Sequence, residues 1–173
     1  RVKEARLWSL PAILPKLFCA AISTETSGWC GSWADGLLTT SGSPEEIKEK
    51  ADAFVANGGQ GKPVSVQYSF SYAKNRKEAL EAAHDQWRSN LVSREKLAEM
   101  YKTEQFDQQT NDITPEEVAE KLPMVTNMDQ LFEEIDRISS AGVSLISLHN
   151  VNRNHEEFID AFGSFKSKNH RTK

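Results

Sequence analysis

The sequence predicts an α/β fold in which four short strands are each followed by a helix. Apolar runs with the length of strands cover residues 16–22, 36–40, 64–73 and 143–150. A polar stretch with helix-start residues follows each run. Because neighbouring parallel strands need a crossover, which is usually a helix, this order predicts consecutive parallel β/α units.

The helix that follows the second run has the clearest start. Ser43 is placed as the N-cap, Pro44 at the first helical position and Glu46 three residues after the cap, which is the pattern of a capping box. This helix is expected to reach about Asn57. The other predicted helices cover residues 24–34, 75–90, 127–140 and 156 onward.

The stretch from about 93 to 124 is polar, contains a helix start at Thr114-Pro115 and offers no strand candidate, so it is predicted to be a helical insertion. The basic tail 166–173 is expected to be disordered. No low-complexity linker divides the sequence, and residues 1–173 are predicted to form a single domain.

Composition excludes several function classes. With 21 Lys and Arg against 25 Asp and Glu, the formal charge of −4 gives no general attraction for nucleic acid or for an anionic membrane. No apolar run approaches the roughly 20 residues that span a bilayer. Cys19 and Cys30 are too few for a disulfide framework and, without nearby Cys or His ligands, make no zinc pattern. They are interpreted as buried thiols in a reducing compartment, so we expect a cytoplasmic protein without a metal site.

Candidate binding residues follow the strands, because ligands of parallel sheets usually lie at the carboxyl ends of the strands. Residues 20–24 place small side chains at a helix N-terminus, where an anion such as phosphate is favoured, although Ser23 could equally be an ordinary N-cap. Thr40 and Ser41 offer hydroxyl groups after the second strand.

The end of the fourth strand carries the densest polar cluster. His149 and Asn150 could orient a ligand there, or could be a capped, hydrogen-bonded pair without chemistry. Arg153 could bind phosphate or pair with Glu156 or Glu157. On the third strand, Gln67 and Ser69 alternate with aromatic residues, which fits either a barrel lumen or an edge strand with one wet face.

These patterns leave two architectures open: a doubly wound sheet of four units, or four units of an eight-unit barrel. The choice comes from a resemblance. The sequence resembles the C-terminal part of the luciferase-like monooxygenase superfamily and, within it, the oxidoreductases that depend on the deazaflavin coenzyme F420. The resemblance extends from about Leu7 to Phe165 and rests on four segments: WADGLLTTSG at 33–42, KPVSVQYSFSYAKNRKEALEAAHDQWRSN at 62–90, TPEEVAEKLP at 114–123 and GVSLISLHNVNRNHEEFIDAFGS at 142–164.

The resemblance implies a TIM barrel of which these units are strands five to eight. It implies that F420, or alternatively FMN, lies along Ala20, Ala21, Ile22, Ser23 and Thr24. Thr40, Ser41, His149 and Asn150 are then substrate-binding candidates. His149 is also a candidate acid/base, although the family places its main proton donor in the N-terminal half.

The chain is also similar to F420-dependent glucose-6-phosphate dehydrogenases. It has Ser43 where they carry a phosphate-binding lysine and, at best, Lys121 in place of an arginine, so sugar phosphate is not a predicted substrate. We expect an oxidoreductase that exchanges hydride between F420 and a small organic substrate. The alternatives are an FMN-dependent monooxygenase and a half-barrel or proteolytic fragment that serves only as an assembly partner. An N-terminal half-barrel or a second copy is expected to cover the open strand edges.

Overall fold

The computed structural model describes residues 3–6, 9–40, 42–97 and 99–169. Contacts within the chain group these residues into two compact units. The first unit runs to Val66 and includes Ala141–Leu145, and the second comprises Gln67–Ser140 and the chain from Ile146 onward. That the whole chain behaves as one domain stays a prediction.

The first unit alternates strands and helices. Strand β1 pairs with β2 in parallel, with Phe18 opposite Gly36, and the N–H of Leu37 in β2 donates to the carbonyl of Pro63 just before β3. The parallel pairing confirms the predicted β/α order. The elements are β1 (Phe18–Ala20), α1 (Thr24–Gly31), β2 (Gly36–Thr40), α2 (Pro44–Phe54) and the beginning of β3 (Val64–Tyr72).

Close packing of α1 on α2 shapes the first unit. A Cβ atom added at Gly31 would collide with the carbonyl oxygen of Phe54, so only glycine permits this approach. The capping box of α2 forms as predicted, since Ser43 accepts from the N–H of Glu46 and the Glu46 carboxylate accepts from the N–H of Ser43. The helix ends at Phe54, before the predicted Asn57, and a wider turn follows in which Gly58 has a φ of 105°.

The two cysteines differ from the prediction. Cys19 in β1 and Cys30 in α1 are both buried, as expected, but they form a disulfide with a Cα–Cα distance of 6.0 Å. The interpretation as two free thiols is therefore wrong for this structure. The sequence offered too few cysteines to suggest a framework, whereas the fold brings the strand and the helix that follows it face to face.

The second unit pairs two further strands with β3. The end of β3 pairs in parallel with β4, with Tyr72 opposite Val125. The residue after β5, Val151, donates its N–H to the carbonyl of Phe70 in β3 at 2.9 Å. The elements after β3 are α3 (Arg76–Trp87), α4 (Arg94–Leu97), α5 (Thr103–Thr110), α6 (Pro115–Ala119), β4 (Met124–Val125), α7 (Met128–Ser140), β5 (Leu145–Asn150) and α8 (His155–Asn169).

Three sequence predictions need correction. The insertion contains helices as expected but ends in strand β4, where no strand was predicted because two residues are too few to show a pattern. Helix α8 continues to Asn169, so residues 166–169 are helical rather than a disordered tail, and residues 170–173 lie outside the described part of the chain. Strand β1 is shorter than the apolar run 16–22 that predicted it.

Aromatic side chains form the interior of the second unit. Phe70 of β3 packs edge-on against Phe158 of α8, with ring centroids 5.2 Å apart, and stacks on Tyr68 at 5.7 Å. Burial, with a smaller contribution from Glu134, raises the pKa of Tyr68 to about 12. Within the described residues, no helix has the length and apolar character to cross a bilayer.

Candidate functional site

The first candidate site is the loop that joins β1 to α1. Ala20 and Thr24 are exposed, Ala21 is buried and Ser23 is half-buried. Ile22 is a large apolar side chain and is 52% exposed. Apart from Ile22, the loop presents small side chains beside the N-terminus of α1.

Ser23 is a satisfied N-cap. Its hydroxyl accepts from the N–H of Thr26 at 3.2 Å and donates to the Thr26 hydroxyl at 2.9 Å. The capping interpretation is therefore confirmed, and the Ser23 hydroxyl is already engaged. The first N–H groups of α1 have no acceptor within their own helix, so the loop's capacity for an anion lies in its backbone rather than in this side chain.

The end of β2 supplies a second feature of the first unit. Thr40 is exposed, as a substrate-facing residue would be. Its neighbour Thr39 is only 5% exposed, and its hydroxyl has no hydrogen-bond partner among the described residues. An unpaired buried hydroxyl costs free energy, so it marks a place where a further polar group would be stabilised. The predicted Ser41 lies outside the described residues.

The second candidate site surrounds His149 at the end of β5. Its Nδ1 lies 3.1 Å from the hydroxyl oxygen of Ser69 and 3.2 Å from the amide nitrogen of Gln67, two residues on one face of β3. The indole of Trp87 in α3 contacts the imidazole edge-on, with centroids 5.7 Å apart. The sequence analysis singled out His149 and the alternation of Gln67 and Ser69 as separate features, and in the fold these three side chains are in contact.

Asn150 is held by its own chain. It is 4% exposed, its side-chain oxygen accepts from the N–H of Tyr72 at 3.0 Å, and its amide nitrogen donates to Asn154. Asn152, which the sequence did not single out, donates to the Ser71 hydroxyl at 2.8 Å and to the Tyr72 carbonyl at 2.7 Å. The hydrogen bonds support the structural alternative for Asn150, and its role in substrate binding stays a prediction.

Arg153 and Lys74 form ion pairs with acidic side chains. Arg153 lies 3.7 Å from the Asp85 carboxylate, so its predicted pairing with Glu156 or Glu157 is wrong. The exposed Lys74 instead pairs with Glu157 at 2.9 Å and holds the pKa of that carboxyl below its usual value. His84 donates from Nε2 to the carbonyl of Ile113 at 2.7 Å.

Solved structures place this fold among known proteins. An F420-dependent secondary alcohol dehydrogenase, in complex with an F420–acetone adduct, is similar with a TM-score of 0.72 and 19% identity over 92% of this chain and 50% of its own. The coenzyme F420-dependent tetrahydromethanopterin reductase from Methanopyrus kandleri is similar with a TM-score of 0.58 and 18% identity, over 86% of this chain and 49% of its own. DmoA from Hyphomicrobium sulfonivorans is similar with a TM-score of 0.53 and 14% identity, over 90% of this chain and 42% of its own.

At these identities the likeness concerns the fold, and the chain spans about half the length of these structures. The four β/α units therefore correspond to half of a luciferase-like TIM barrel, as predicted. No curated protein matches the sequence. The family model for luciferase-like monooxygenases matches residues 1–145, which is most of the sequence. The chain belongs to the luciferase-like monooxygenase family.

Proposed function

We propose that this chain is the C-terminal half of an oxidoreductase that transfers hydride between coenzyme F420 and a small organic substrate. Membership of the luciferase-like family carries the oxidoreductase class. Two similar structures are named as F420-dependent enzymes, which supports F420 over FMN. When bound, the deazaflavin supplies the hydride chemistry, and the chain's residues bind and orient the reactants.

The first unit fits the phosphate-bearing part of such a cofactor. The β1–α1 loop carries small or exposed residues and ends in free helix N–H groups, and the Thr39 hydroxyl is buried without a partner among the described residues. Ala20, Ala21, Ile22, Ser23 and Thr24 would hold the cofactor mainly through backbone groups. Thr40 would face the substrate.

The absorption spectrum of the protein, purified directly from its source, tests the choice of cofactor. F420 and FMN have different visible spectra, so the spectrum shows which of the two cofactors has copurified with the protein. We expect the deazaflavin spectrum. An FMN spectrum would support the family's monooxygenase branch instead, and failure of the protein to bind either added cofactor would support the non-catalytic alternative.

The phosphate assignment is tested by Ser23→Asp. Aspartate is as good an N-cap as serine, so α1 is retained, but its charge repels an anion at the helix N-terminus. We expect F420 affinity to fall about ten-fold or more, measured by fluorescence titration. Asn127→Asp introduces the same charge at the cap of α7, where Asn127 accepts from the N–H of Gln130. It should leave affinity unchanged, and equal effects of the two variants would contradict the assignment.

The first unit also exposes large apolar side chains, for which we propose an N-terminal half-barrel as the partner. We call Phe18, Ile22, Trp29, Trp33 and Leu38 the exposed apolar set, since each is between 39 and 63% exposed. Strand β1 pairs with β2, and no other strand partner is found for it in the described residues. Four further β/α units would complete the length of the similar structures. A stable, non-aggregating monomer of these 173 residues in sedimentation, with little binding of a hydrophobic dye, would contradict this proposal.

A further inference from the structure

The hydrogen bonds around His149 determine which of its nitrogens carries the proton. A side-chain amide nitrogen such as Nε2 of Gln67 is a donor only, and it lies 3.2 Å from Nδ1 of His149. Nδ1 must therefore accept, and the Ser69 hydroxyl, which can donate, is compatible at 3.1 Å. A neutral imidazole with an accepting Nδ1 carries its proton on Nε2.

The second nitrogen is available for a ligand. Within the described part of the chain, the hydrogen bonds of His149 all run through Nδ1, and Nε2 has no protein partner. The ring is half-buried, and Trp87 contacts it edge-on. In this tautomer, the Nε2–H of His149 has no acceptor among the described residues and is therefore a donor open to a ligand.

The main chain on the C-terminal side of His149 is also fixed. Asn150 accepts from the N–H of Tyr72 through its side chain, and Val151 donates to the Phe70 carbonyl. Asn152 binds both the hydroxyl of Ser71 and the carbonyl of Tyr72. These bonds tie the end of β5 to the end of β3, so the imidazole is held from its backbone as well as from Nδ1.

We propose that His149 is a preorganised Nε2–H donor for a carbonyl oxygen of the bound cofactor or substrate, with Gln67 and Ser69 as its positioning residues. The ligand part of this inference rests on the proposed oxidoreductase function, whereas the tautomer does not. A neutral donor held in this way orients an oxygen without transferring a proton. This role differs from the acid/base role for which His149 was a candidate.

Nitrogen-15 NMR of the histidine rings tests the tautomer directly. The protein is expressed from its complete native gene, and His149→Gln identifies the resonances that belong to His149 among those of the other histidines. We expect a pyridine-like Nδ1 and a pyrrole-like Nε2. The opposite pattern would overturn the proposal, because Gln67 would then have to present its oxygen.

Gln67→Glu tests the positioning role. Glutamate has nearly the same shape but its carboxylate accepts, so it should place a proton on Nδ1. Ser65→Ala, which changes another residue on the same face of β3, is the matched control and should leave the ring signals as they are. An unchanged tautomer in Gln67→Glu would show that Gln67 does not position His149.

Added probes test the ligand and its source. F420 alone should shift the Nε2 signal if the acceptor lies on the cofactor, whereas a shift only after acetone is added as a small carbonyl probe would place it on the substrate. Loss of the donor in His149→Ala should weaken binding of the responsible probe by about three- to ten-fold. Bound F420 with no Nε2 response to either probe would overturn the donor role. Absence of F420 binding would overturn the proposed function and leave the tautomer result standing.

Discussion

The two units differ in how their polar groups are satisfied. In the second unit, Asn150 and Asn152 join the ends of β3 and β5 through side-chain hydrogen bonds that span about 80 residues of sequence, as in the bond from Asn152 to Tyr72. In the first unit, the polar contacts that follow β1 and β2 are short-range caps such as Ser23 with Thr26 and Ser43 with Glu46, and the Thr39 hydroxyl has no partner among the described residues. The second unit thus fixes the carboxyl ends of β3 and β5 through side chains of its own, whereas the first leaves the Thr39 hydroxyl near the carboxyl end of β2 without such a partner in the described chain.

Most of the exposed large apolar side chains among the described residues belong to the first unit, although Leu97, Tyr101 and Ile159 of the second are also 40 to 80% exposed. Trp29 and Trp33 of α1 pack on each other with centroids 5.1 Å apart, yet they are 63 and 43% exposed. In the second unit, Phe70 and Phe158 are buried in a cluster of rings. Large apolar side chains exposed close together are typical of a surface that another protein segment covers.

The largest effect is expected from breaking the asparagine network. Asn152→Ala removes two buried hydrogen bonds, to the Ser71 hydroxyl and to the Tyr72 carbonyl, and leaves a cavity, although these groups keep their bonds with Ala79 and Asn154. It should lower the free energy of unfolding by about 2 to 4 kcal/mol. Asn90→Ala removes an exposed amide from a single bond to the Trp87 carbonyl and should cost less than about 0.5 kcal/mol. Urea denaturation measures both. Equal costs would mean that the network does not stabilise the second unit.

A smaller effect is expected where α1 meets α2. Gly31→Ala would force Cβ against the Phe54 carbonyl oxygen and should destabilise the first unit by about 1 to 3 kcal/mol. Gly163→Ala is the control, since a Cβ there meets nothing within 4 Å and alanine favours the helix. Gly163→Ala should raise the free energy of unfolding by up to about 1 kcal/mol. The same sign for both variants would contradict the close packing of α1 on α2.

The smallest effect concerns Tyr68 in the second unit. Its folded-state pKa of about 12 lies above the ordinary value of 10.0, so the buried neutral phenol contributes stability that is present below pH 10 and is lost as pH rises toward 12. The free energy of unfolding should fall over this range, and less steeply in Tyr68→Phe. Tyr101→Phe, at an 80% exposed position, should leave the slope unchanged.

Local signals predicted most of the fold because each depends on neighbouring residues. Ser43, Pro44 and Glu46 predicted the start of α2, since a capping box is complete within four residues. Strand β2 also matched its apolar run. Strand β4 and the Cys19–Cys30 pair were missed because they depend on chain segments brought together by the fold.

The candidate sites show the same limit. The sequence marked His149 by its position after an apolar strand, but its contact with Ser69 joins residues far apart in the sequence. Asn152 was passed over because a buried asparagine and an exposed one look alike in a sequence. The Asn150, Asn152 and Asn154 spacing was the available signal, since alternate polar residues after a strand indicate a loop fixed by side-chain hydrogen bonds.

We propose that an N-terminal half-barrel covers the exposed apolar set of the first unit, whereas the second unit holds its strand ends through its own hydrogen bonds. Hydroxyl-radical footprinting tests it by comparing the protein expressed from its complete native gene with the 173-residue chain alone. Trp29 and Trp33 report on the exposed apolar set, and the half-buried Trp87 of the second unit is the internal reference. We predict that Trp29 and Trp33 are oxidised several-fold more slowly in the native protein and that Trp87 changes little. Equal oxidation of Trp29 and Trp33 in the two samples would contradict the claim.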